Sequence, residues 1–296
     1  MKRVALMGVC VLTAFSAFAA RPQGQFREPS DVADVHPTYS AVMKQINEAK
    51  GGGPRMIAPN VVLEGSESGF VIPIAGSGGG ANGTFFRSEG IVMNNRSIAQ
   101  NVAFFFFPLG GGAANCTRPS VTKRLEANTW YLYTDLVHDI FGVNGFGAVI
   151  ALGVNGSGNP DSAAMIDGNS RIWTPQPGTS GTTSQNFPSM SLQMPGGAQW
   201  TFGLRSDEFY RSNWGIFNYD TAARTFDVTV DGFRGQTSFS TTIDACSLVQ
   251  SGIGGGPYGS FLLTVNPRDG RGMFFSYGSS VDNVTGDAWS VTGRSF

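Results

Sequence analysis

Lysine is scarce in this chain, and its four lysines all lie within the first 123 of 296 residues. Charged residues make up 14% of the sequence, against about 25% in an average globular protein, and the formal net charge is −1. Proteins that hold nucleic acids or anionic membranes do so with clustered positive charge. The composition therefore predicts no nucleic-acid partner.

Histidine and cysteine are also rare, with two histidines, His36 and His138, and three cysteines, Cys10, Cys116 and Cys246. A structural zinc site needs four such ligands close together. Hydrolysis by a serine nucleophile needs a histidine that accepts the proton of the serine. No G-x-S-x-G turn of the kind that presents such a serine surrounds either histidine. We therefore expect no metal, no cofactor and no catalytic residues, and a chain that is not an enzyme.

One hydrolytic chemistry stays open, because two carboxylates that cleave a glycosidic bond meet only in the folded protein. The candidates are Asp207, Glu208, Asp282 and Asp287. Asp282 and Asp287 flank an Asn- and Gly-containing turn, so they are more simply explained as turn formers. The same loop offers oxygen ligands for calcium, but the alternating acidic spacing of a calcium-binding loop is absent.

No later apolar run reaches the roughly 18 residues of a transmembrane helix, but the N-terminus has a shorter one. A basic start precedes an apolar run over residues 4–15, and Ala17-Phe18-Ala19 is a small-x-small cleavage site. This order is typical of a secretory signal peptide, here residues 1–19, and the alternative is an N-terminal membrane anchor. We expect an exported protein, periplasmic, cell-surface or extracellular, whose mature chain has no transmembrane segment.

Export gives the two remaining cysteines a candidate role, because thiols pair in oxidising compartments. Cys116 and Cys246 are the only cysteines beyond the expected cleavage site. Cys116 lies in a Gly-rich loop, and Cys246 lies in a run that we expect to be a short helix. The two are a candidate disulfide, and the alternative is that Cys246 is a small buried hydrophobic residue.

Glycine and aromatic residues are abundant, with 41 glycines and an aromatic content of 12%. After Asn60, short runs rich in Val, Phe, Tyr, Ile and Thr are separated by Gly, Asn, Ser and Pro clusters, as at residues 102–107, 129–133, 226–230 and 261–265. Many short strands with Gly-rich turns are typical of an all-β sandwich or barrel.

A polar lead over residues 20–60 precedes the β region and contains one helical segment, about residues 37–50. Apolar side chains there follow the i, i+3, i+4, i+7 spacing of one helix face, at Tyr39, Val42, Met43 and Ile46. Three glycines from position 51 end the run. We expect this amphipathic helix to pack on the following domain, and a partner-binding helix is the alternative.

The β region contains an internal repeat with an offset of 124 residues. Phe-Phe-Arg-Ser at residues 85–88 matches Phe-Tyr-Arg-Ser at residues 209–212. The same offset places Arg87 on Arg211 and Asn94 on Asn218, which we interpret as repeated structural residues. The repeat predicts two β modules, residues 61–190 and 191–296.

Each module is expected to contain one short helix. Residues 135–142 have Asp135 as the expected N-cap and Gly142 as the stop. Residues 244–252 have the same character, beginning at Asp244.

The chain order G-A-N-G-T-F-F-R-S, T-D-L-V-H-D-I-F-G-V, F-Y-R-S-N-W-G-I-F-N and S-Y-G-S-S-V-D-N-V-T-G-D-A-W resembles tandem immunoglobulin-like β-sandwich modules of secreted bacterial proteins. The resemblance covers about residues 61–293, and the closing V-D-N-V-T-G-D turn is its most distinctive part. It implies two immunoglobulin-like sandwiches with a surface or matrix role. The family has no established activity, so the resemblance implies no catalytic residues.

Two phenylalanines of the first module, Phe105 and Phe107, are expected to face away from the module's own core. In the matching strand of the second module, polar residues mark the outward face at 227, 229 and 231, and the offset carries this face back to 103, 105 and 107. Burying each Phe contributes about 1.5–3 kcal/mol, so we expect a cover. The candidates are the lead helix, the second module and an external partner, and the alternative is an uncovered apolar edge strand.

Two function classes follow from these observations. The first is a secreted or cell-surface, non-enzymatic β-sandwich protein with an adhesion, matrix or assembly role, whose partner is a protein or a surface glycan. The second is a carbohydrate-binding or glycoside-hydrolase accessory module, for which the five tryptophans offer stacking surfaces. Tryptophans packed in a core or between modules favour the first class.

Overall fold

The computed structural model describes residues 29–49, 68–80, 83–176, 178, 180–192, 197–254 and 256–295. The expected signal peptide and residues 20–28 and 50–60 of the polar lead, with the three glycines expected to end its helix, lie outside these residues. The described chain is predominantly β. Its helices are α1 (Tyr39–Ala49), α2 (Leu136–Phe141) and a 3-10 helix (Ala113–Thr117). Its strands are β1 (Ser30–Asp31), β2 (Gly69–Gly79), β3 (Phe85–Asn94), β4 (Gln100–Pro108), β5 (Val121–Leu125), β6 (Thr129–Tyr133), β7 (Gly145–Val154), β8 (Ile166–Pro175), β9 (Thr182–Pro188), β10 (Met190–Ser191), β11 (Gln199–Ser206), β12 (Tyr210–Asn218), β13 (Arg224–Gly232), β14 (Gly235–Ile243), β15 (Ser247–Gly252), β16 (Gly259–Pro267), β17 (Phe274–Asp282) and β18 (Ala288–Thr292).

The N-terminal half, which ends with β10, is one ten-stranded sheet in the order β1-β5-β4-β7-β2-β3-β8-β9, with β10 on β2 and β6 on β3. Only three residue pairs, at the hairpin of β2 and β3, join its two parts. Apolar side chains of β2, β4 and β7, in one part, pack against those of β3, β6 and β8, in the other part. The sheet is therefore doubled over, with β5-β4-β7-β2 facing β6-β3-β8-β9 across one core, and α2 closes an end of that core.

The C-terminal half, which begins at β11, consists of two four-stranded sheets in the orders β11-β16-β13-β14 and β15-β12-β17-β18. These orders repeat those of the N-terminal half when β2 to β9 are matched in sequence with β11 to β18. A second core, between these two sheets, includes Trp214, Phe226 and Val228. All strand pairs within both halves are antiparallel.

Strand β13 shows how the sequence determines these layers. Its residues alternate, so that Phe226, Val228 and Val230 are buried while Asp227 and Thr229 are only partly covered. This is the period of two of a strand with one face on a core. The sequence prediction of the inward and outward faces of β13 agrees with this pattern.

A third core lies between the halves. It joins the second face of β2, β4 and β7, through residues such as Phe107 and Ile150, to Phe217, Phe275 and Tyr277 on the outer face of the sheet formed by β15, β12 and β17. The molecule is thus a stack of four β layers separated by three apolar cores. No helix among the described residues is long and apolar enough to cross a membrane.

Helix α1 begins two residues later than the helical segment expected from the sequence. The Thr38 hydroxyl accepts a hydrogen bond of 3.3 Å from the backbone N–H of Ala41, which makes Thr38 the N-cap. Lys44 and Glu48 form an i, i+4 pair on the exposed side. The opposite side, with Tyr39 and Val42, belongs to the third core.

The second short helix expected from the sequence, over residues 244–252, is wrong. The structure has a turn at Ala245 and Cys246, followed by strand β15. Cys246 has a φ of 51°, in the left-handed region that a right-handed helix does not use. Pairing of β15 with β12 from Ser247 to Gly252 then supplies the backbone hydrogen bonds.

The first short helix is present as α2, but its start differs in detail. Gly142 ends it with a φ of 66°, as expected of a C-terminal glycine. The Asp135 side chain makes no capping hydrogen bond. It accepts a hydrogen bond of 2.8 Å from the Ser77 hydroxyl instead, which ties the helix start to β2.

Candidate functional site

Phe105 and Phe107 lie in the third core and are almost fully buried. The ring of Tyr39, on α1, meets both edge-on, with centroid distances of 5.5 Å to Phe105 and 5.1 Å to Phe107. The ring of Phe217, from the C-terminal half, lies 4.9 Å from that of Phe107. The cover of these two phenylalanines therefore comes from the lead helix and the C-terminal half together. Of the four residues on the expected helix face, Tyr39, Val42 and Met43 are buried and Ile46 is partly buried.

Polar contacts reinforce this joint. The Tyr39 hydroxyl donates a hydrogen bond of 2.7 Å to the main-chain oxygen of Tyr219. The Asn115 amide donates one of 3.1 Å to the main-chain oxygen of Cys246. The backbone N–H of Gly110 donates one of 3.0 Å to Leu248. Because buried hydrogen bonds demand defined geometry, these contacts fix the two halves in one arrangement.

A disulfide crosses the joint. The sulfur atoms of Cys116 and Cys246 lie 2.03 Å apart, and 130 residues separate them in the sequence. Cys116 belongs to the 3-10 helix after β4, and Cys246 belongs to the turn before β15. The bond therefore links the N-terminal half to the C-terminal half.

A second seam joins β9 to β18. The Gln185 amide donates a hydrogen bond of 2.6 Å to the main-chain oxygen of Trp289, and the Ser290 hydroxyl donates one to the main chain of Asn186. The rings of Phe187 and Tyr277 meet edge-on behind this seam. The halves thus meet along two separate lines of contact, which opposes rotation about either one.

Asn94 and Asn218, matched by the sequence repeat, make the same set of hydrogen bonds. The Asn94 side-chain N–H groups donate to the main-chain oxygens of Ile98, Leu125 and Glu126. Those of Asn218 donate to the main-chain oxygens of Ala222, Ile243 and Asp244. Each asparagine ties the end of its own strand to the loop that follows and to the end of strand β5 or β14.

Arg87 and Arg211 occupy matching places on β3 and β12 but have different partners. Arg87 lies 3.6 Å from the Asp135 carboxylate and stacks on the Phe85 ring. Arg211 donates a hydrogen bond of 2.9 Å to the side-chain oxygen of Asn283. A single repeated contact does not explain this pair.

A cavity of about 520 Å³ opens beside α1. Met43, Ile46, Leu152 and Leu192 give it an apolar wall, and Asp161 is among the polar residues at its rim. The Asp161 carboxylate is paired with Arg96 at 2.7 Å. The cavity therefore suits an apolar group better than a charged or sugar ligand.

Exposed apolar side chains cluster at the end of the C-terminal half where two hairpins and the connection between β11 and β12 turn. Phe233 is 93% exposed, Val284 83% and Phe209 54%. These three turns are adjacent, because the backbone N–H of Asn283 donates to the oxygen of Phe209 and Arg234 pairs with Glu208. We call Phe209, Phe233 and Val284 the tip cluster. The sequence analysis did not identify the tip cluster. One signal was available, because Phe233 in the two-residue turn G-F-R-G is an apolar residue at a position where polar residues are usual.

Each carboxylate considered for hydrolysis is bonded to an arginine or to backbone N–H groups. Asp207 bonds Arg205 at 2.6 Å and accepts from the backbone of Phe209. Burial acts to raise the pKa of Asp207, but the hydrogen bonds and the Arg205 charge hold it below its usual value. Backbone N–H groups of Thr285 and Val284 lower the pKa of Asp282, as in a turn-forming aspartate. Glu208 pairs with Arg234, and Asp287 bonds the backbone of Ala288.

The histidines have structural surroundings. His36 bonds the main-chain oxygens of Ser120 and Ala33 through its two ring nitrogens. His138 lies on the exposed side of α2. Within the part of the chain that the structure describes, no three His, Cys, Asp or Glu side chains are grouped to hold a metal ion.

The tryptophans are dispersed. Trp214 is buried in the C-terminal core, and the other four lie half-buried on four different strands, β6, β8, β11 and β18. Tyr210 and Trp289 form a half-buried pair with their ring centroids 5.7 Å apart, and Arg205 stacks on Tyr210 at 4.3 Å.

No protein-family model matches this chain, and no curated protein matches it significantly.

Proposed function

We propose that this chain is an exported, non-enzymatic protein of two tandem immunoglobulin-like sandwiches that acts in adhesion, matrix formation or assembly at the cell surface. The observation that carries the proposal is the joint between the halves. A shared core and two seams of hydrogen bonds hold the halves together. A disulfide adds a covalent link, which suits an oxidising compartment.

The tip cluster supplies the contact surface in this proposal. Loops at the end of a rigid sandwich commonly carry recognition. Two phenylalanines and a valine, each at least half exposed, offer apolar area that a partner can bury. The paired Arg234 and Glu208 between them supply a polar rim.

Fractionation of producing cells tests the proposal. We expect the parent protein to remain bound to the cell surface or matrix, and Phe233→Ser combined with Phe209→Ser to release it into the medium. Ile98→Ser is the matched control, because Ile98 is also 54% exposed but lies in the N-terminal half. A parent protein found wholly in the free soluble fraction would contradict the proposal.

A carbohydrate-binding role is the second candidate, favoured by the Tyr210, Trp289 and Arg205 group. An aromatic pair beside a guanidinium can hold a sugar by stacking and hydrogen bonds. Retention on insoluble polysaccharides that is lost in Trp289→Ala, and kept in Trp173→Ala, would support this role. Failure of the parent protein to bind across a broad glycan array would exclude it in favour of the first.

A further inference from the structure

The edge strand β14 is the longest open sheet edge of the C-terminal half. It pairs with β13 over all nine of its residues. Residues 236–242 make no other main-chain hydrogen bond within the described chain. The strand reads G-Q-T-S-F-S-T-T-I, without charge, proline or bulge. Natural proteins usually protect an edge with such features, because an open edge is a template for another strand.

The equivalent edge of the N-terminal half is covered. Strand β1 pairs with β5 through Ser30 and Asp31, and the backbone N–H of Val32 extends the ladder to Thr122. The Lys123 ammonium adds an ion pair of 2.6 Å with Asp31. The same sheet position thus accepts an added strand in one half and is open in the other.

The main-chain groups that β14 presents can be identified. Phe226 of β13 lies opposite Pro267, which has no N–H, so Phe226 directs its own main-chain N–H and C=O toward β14 and Thr241. In an antiparallel ladder, every second residue directs its main-chain N–H and C=O groups to the same neighbour. The main-chain groups of Phe239, like those of Thr241, therefore bond to β13. The residues between these, Ser238 and Ser240 among them, present their N–H and C=O groups at the open edge.

The sequence of the edge has its own two-fold symmetry. Residues 237–241 read T-S-F-S-T, the same in both directions around Phe239. If a second β14 pairs antiparallel with Phe239 on the axis, Ser238 of each copy meets Ser240 of the other, and Thr237 meets Thr241. The main-chain groups of Ser238 and Ser240 then form a hydrogen-bonded pair, and no charged side chain of one β14 lies opposite a charged side chain of the other.

We propose that β14 is a dimerisation edge, at which two copies of this chain pair antiparallel around Phe239 to form one continuous eight-stranded sheet. This is an isologous contact, in which each copy contributes the same surface, and it closes at two subunits. Main-chain pairing supplies its affinity, as in other strand-addition contacts. The contact runs along β14 and is centred on Phe239, whereas the tip cluster lies at the end of the half, and the contact does not depend on that cluster.

Molar mass in solution is the first test. The parent chain should have the mass of a dimer that dissociates on dilution, and Ser238→Pro should have half that mass at every concentration. Proline removes an edge N–H that the strand's own ladder does not use, so the fold is retained. Ser238→Ala, which keeps the N–H, is the control and should remain dimeric. A monomeric parent, or a dimeric and folded Ser238→Pro variant, would overturn the proposal.

Cross-linking tests the register and needs no proline. In a Cys10→Ser background, Ser238→Cys mixed with Ser240→Cys places two thiols directly opposite, within the reach of a disulfide. Either variant alone places its two thiols diagonally, about 7–8 Å apart, where a disulfide does not form readily. We expect a covalent dimer from the mixture under mild oxidation. Equal yields from the mixture and from each variant alone, or no cross-link at all, would overturn the register.

Discussion

The phenol of Tyr39 donates a hydrogen bond of 2.7 Å to the main-chain oxygen of Tyr219, 180 residues further along the chain. Burial, with the nearby Tyr219 and Asp220, raises the pKa of Tyr39 well above its usual value, so the phenol keeps its proton. The lead helix is therefore bonded to the C-terminal half as well as packed on the N-terminal half.

Tyr39→Phe tests that bond. The ring contacts with Phe105 and Phe107 remain, but the carbonyl of Tyr219 loses a buried donor. We expect the free energy of unfolding to fall by about 1–3 kcal/mol in denaturant titrations. Tyr210→Phe is the control, because its hydroxyl bonds no described residue, and it should shift stability by less than about 0.5 kcal/mol. Equal effects of the two changes would mean that the Tyr39 bond contributes nothing.

Phe105→Ala should destabilise the protein by about 3–5 kcal/mol, because it leaves a cavity in the core shared by α1 and both halves. Phe233→Ala, at a site that is 93% exposed, should have little effect on stability. Phe105→Asp and a chain without residues 20–53 should aggregate, since both uncover apolar area of this core. If both stay as soluble and stable as the parent, α1 does not protect this surface.

Reduction of the Cys116–Cys246 bond should lower stability by about 2–5 kcal/mol, because the bond closes a long loop in the unfolded chain. The measurement is denaturant unfolding, with and without reductant, of a chain that begins at residue 20. The Cys116→Ser, Cys246→Ser double variant should match the reduced parent and not respond to reductant. Two free thiols detected in the denatured, unreduced parent would contradict the bond.

Asn94→Asp and Asn218→Asp should have similar effects, because each removes the amide donor to three carbonyl oxygens and replaces it with an acceptor. We expect each to cost about 3 kcal/mol or more. Asn186→Asp is the control, because Asn186 is exposed on β9 and lies opposite Arg171. The two losses should add in the double variant, since the sites lie in separate halves. A large loss at one site and none at the other would show that the two asparagines differ in role.

Acid should destabilise the C-terminal half through Asp207. Its pKa in the folded protein is lowered, so its contribution is full above the unfolded pKa of about 4 and is lost as pH falls through the lower folded value. Thermal unfolding should thus depend little on this group near neutrality and more below about pH 4. Asp207→Asn should be less stable at neutral pH and should flatten the acid limb. An unchanged acid limb would show that Asp207 does not contribute to the pH dependence.

The strands and their faces could be predicted from local pattern, whereas the contacts between halves could not. The alternation of apolar and polar residues in β13 predicts, through the repeat, which side chains of β4 face away from the core of their own half. Two of these, Phe105 and Phe107, lie in the third core. Which surface covers them depends on the stacking of layers. The wrong helix at 244–252 has the same origin, because the disulfide and the pairing with β12 override a weak local preference.

The candidate sites divide in the same way. The sequence contains carboxylates and tryptophans that could form a site, but it does not show which of them lie close together. In the folded chain, Asp207 and Asp282 accept hydrogen bonds from backbone N–H groups of turns. The tip cluster arises because two hairpins, β13–β14 and β17–β18, and the connection between β11 and β12 end at one place. Each exposed residue there is ordinary by itself, and only their adjacency makes a surface.

The separation of the two cysteines has a consequence in time. A chain is synthesised from its N-terminus, so Cys116 is made well before Cys246, which follows 130 residues later. At about 5–20 residues per second, the earlier thiol waits roughly 6–26 s for its partner. The bond forms only after Cys246 has arrived beside Cys116, in the turn before β15. Oxidation of this pair is therefore a record that this turn has met the N-terminal half, although β16, β17 and β18 follow still later in the chain.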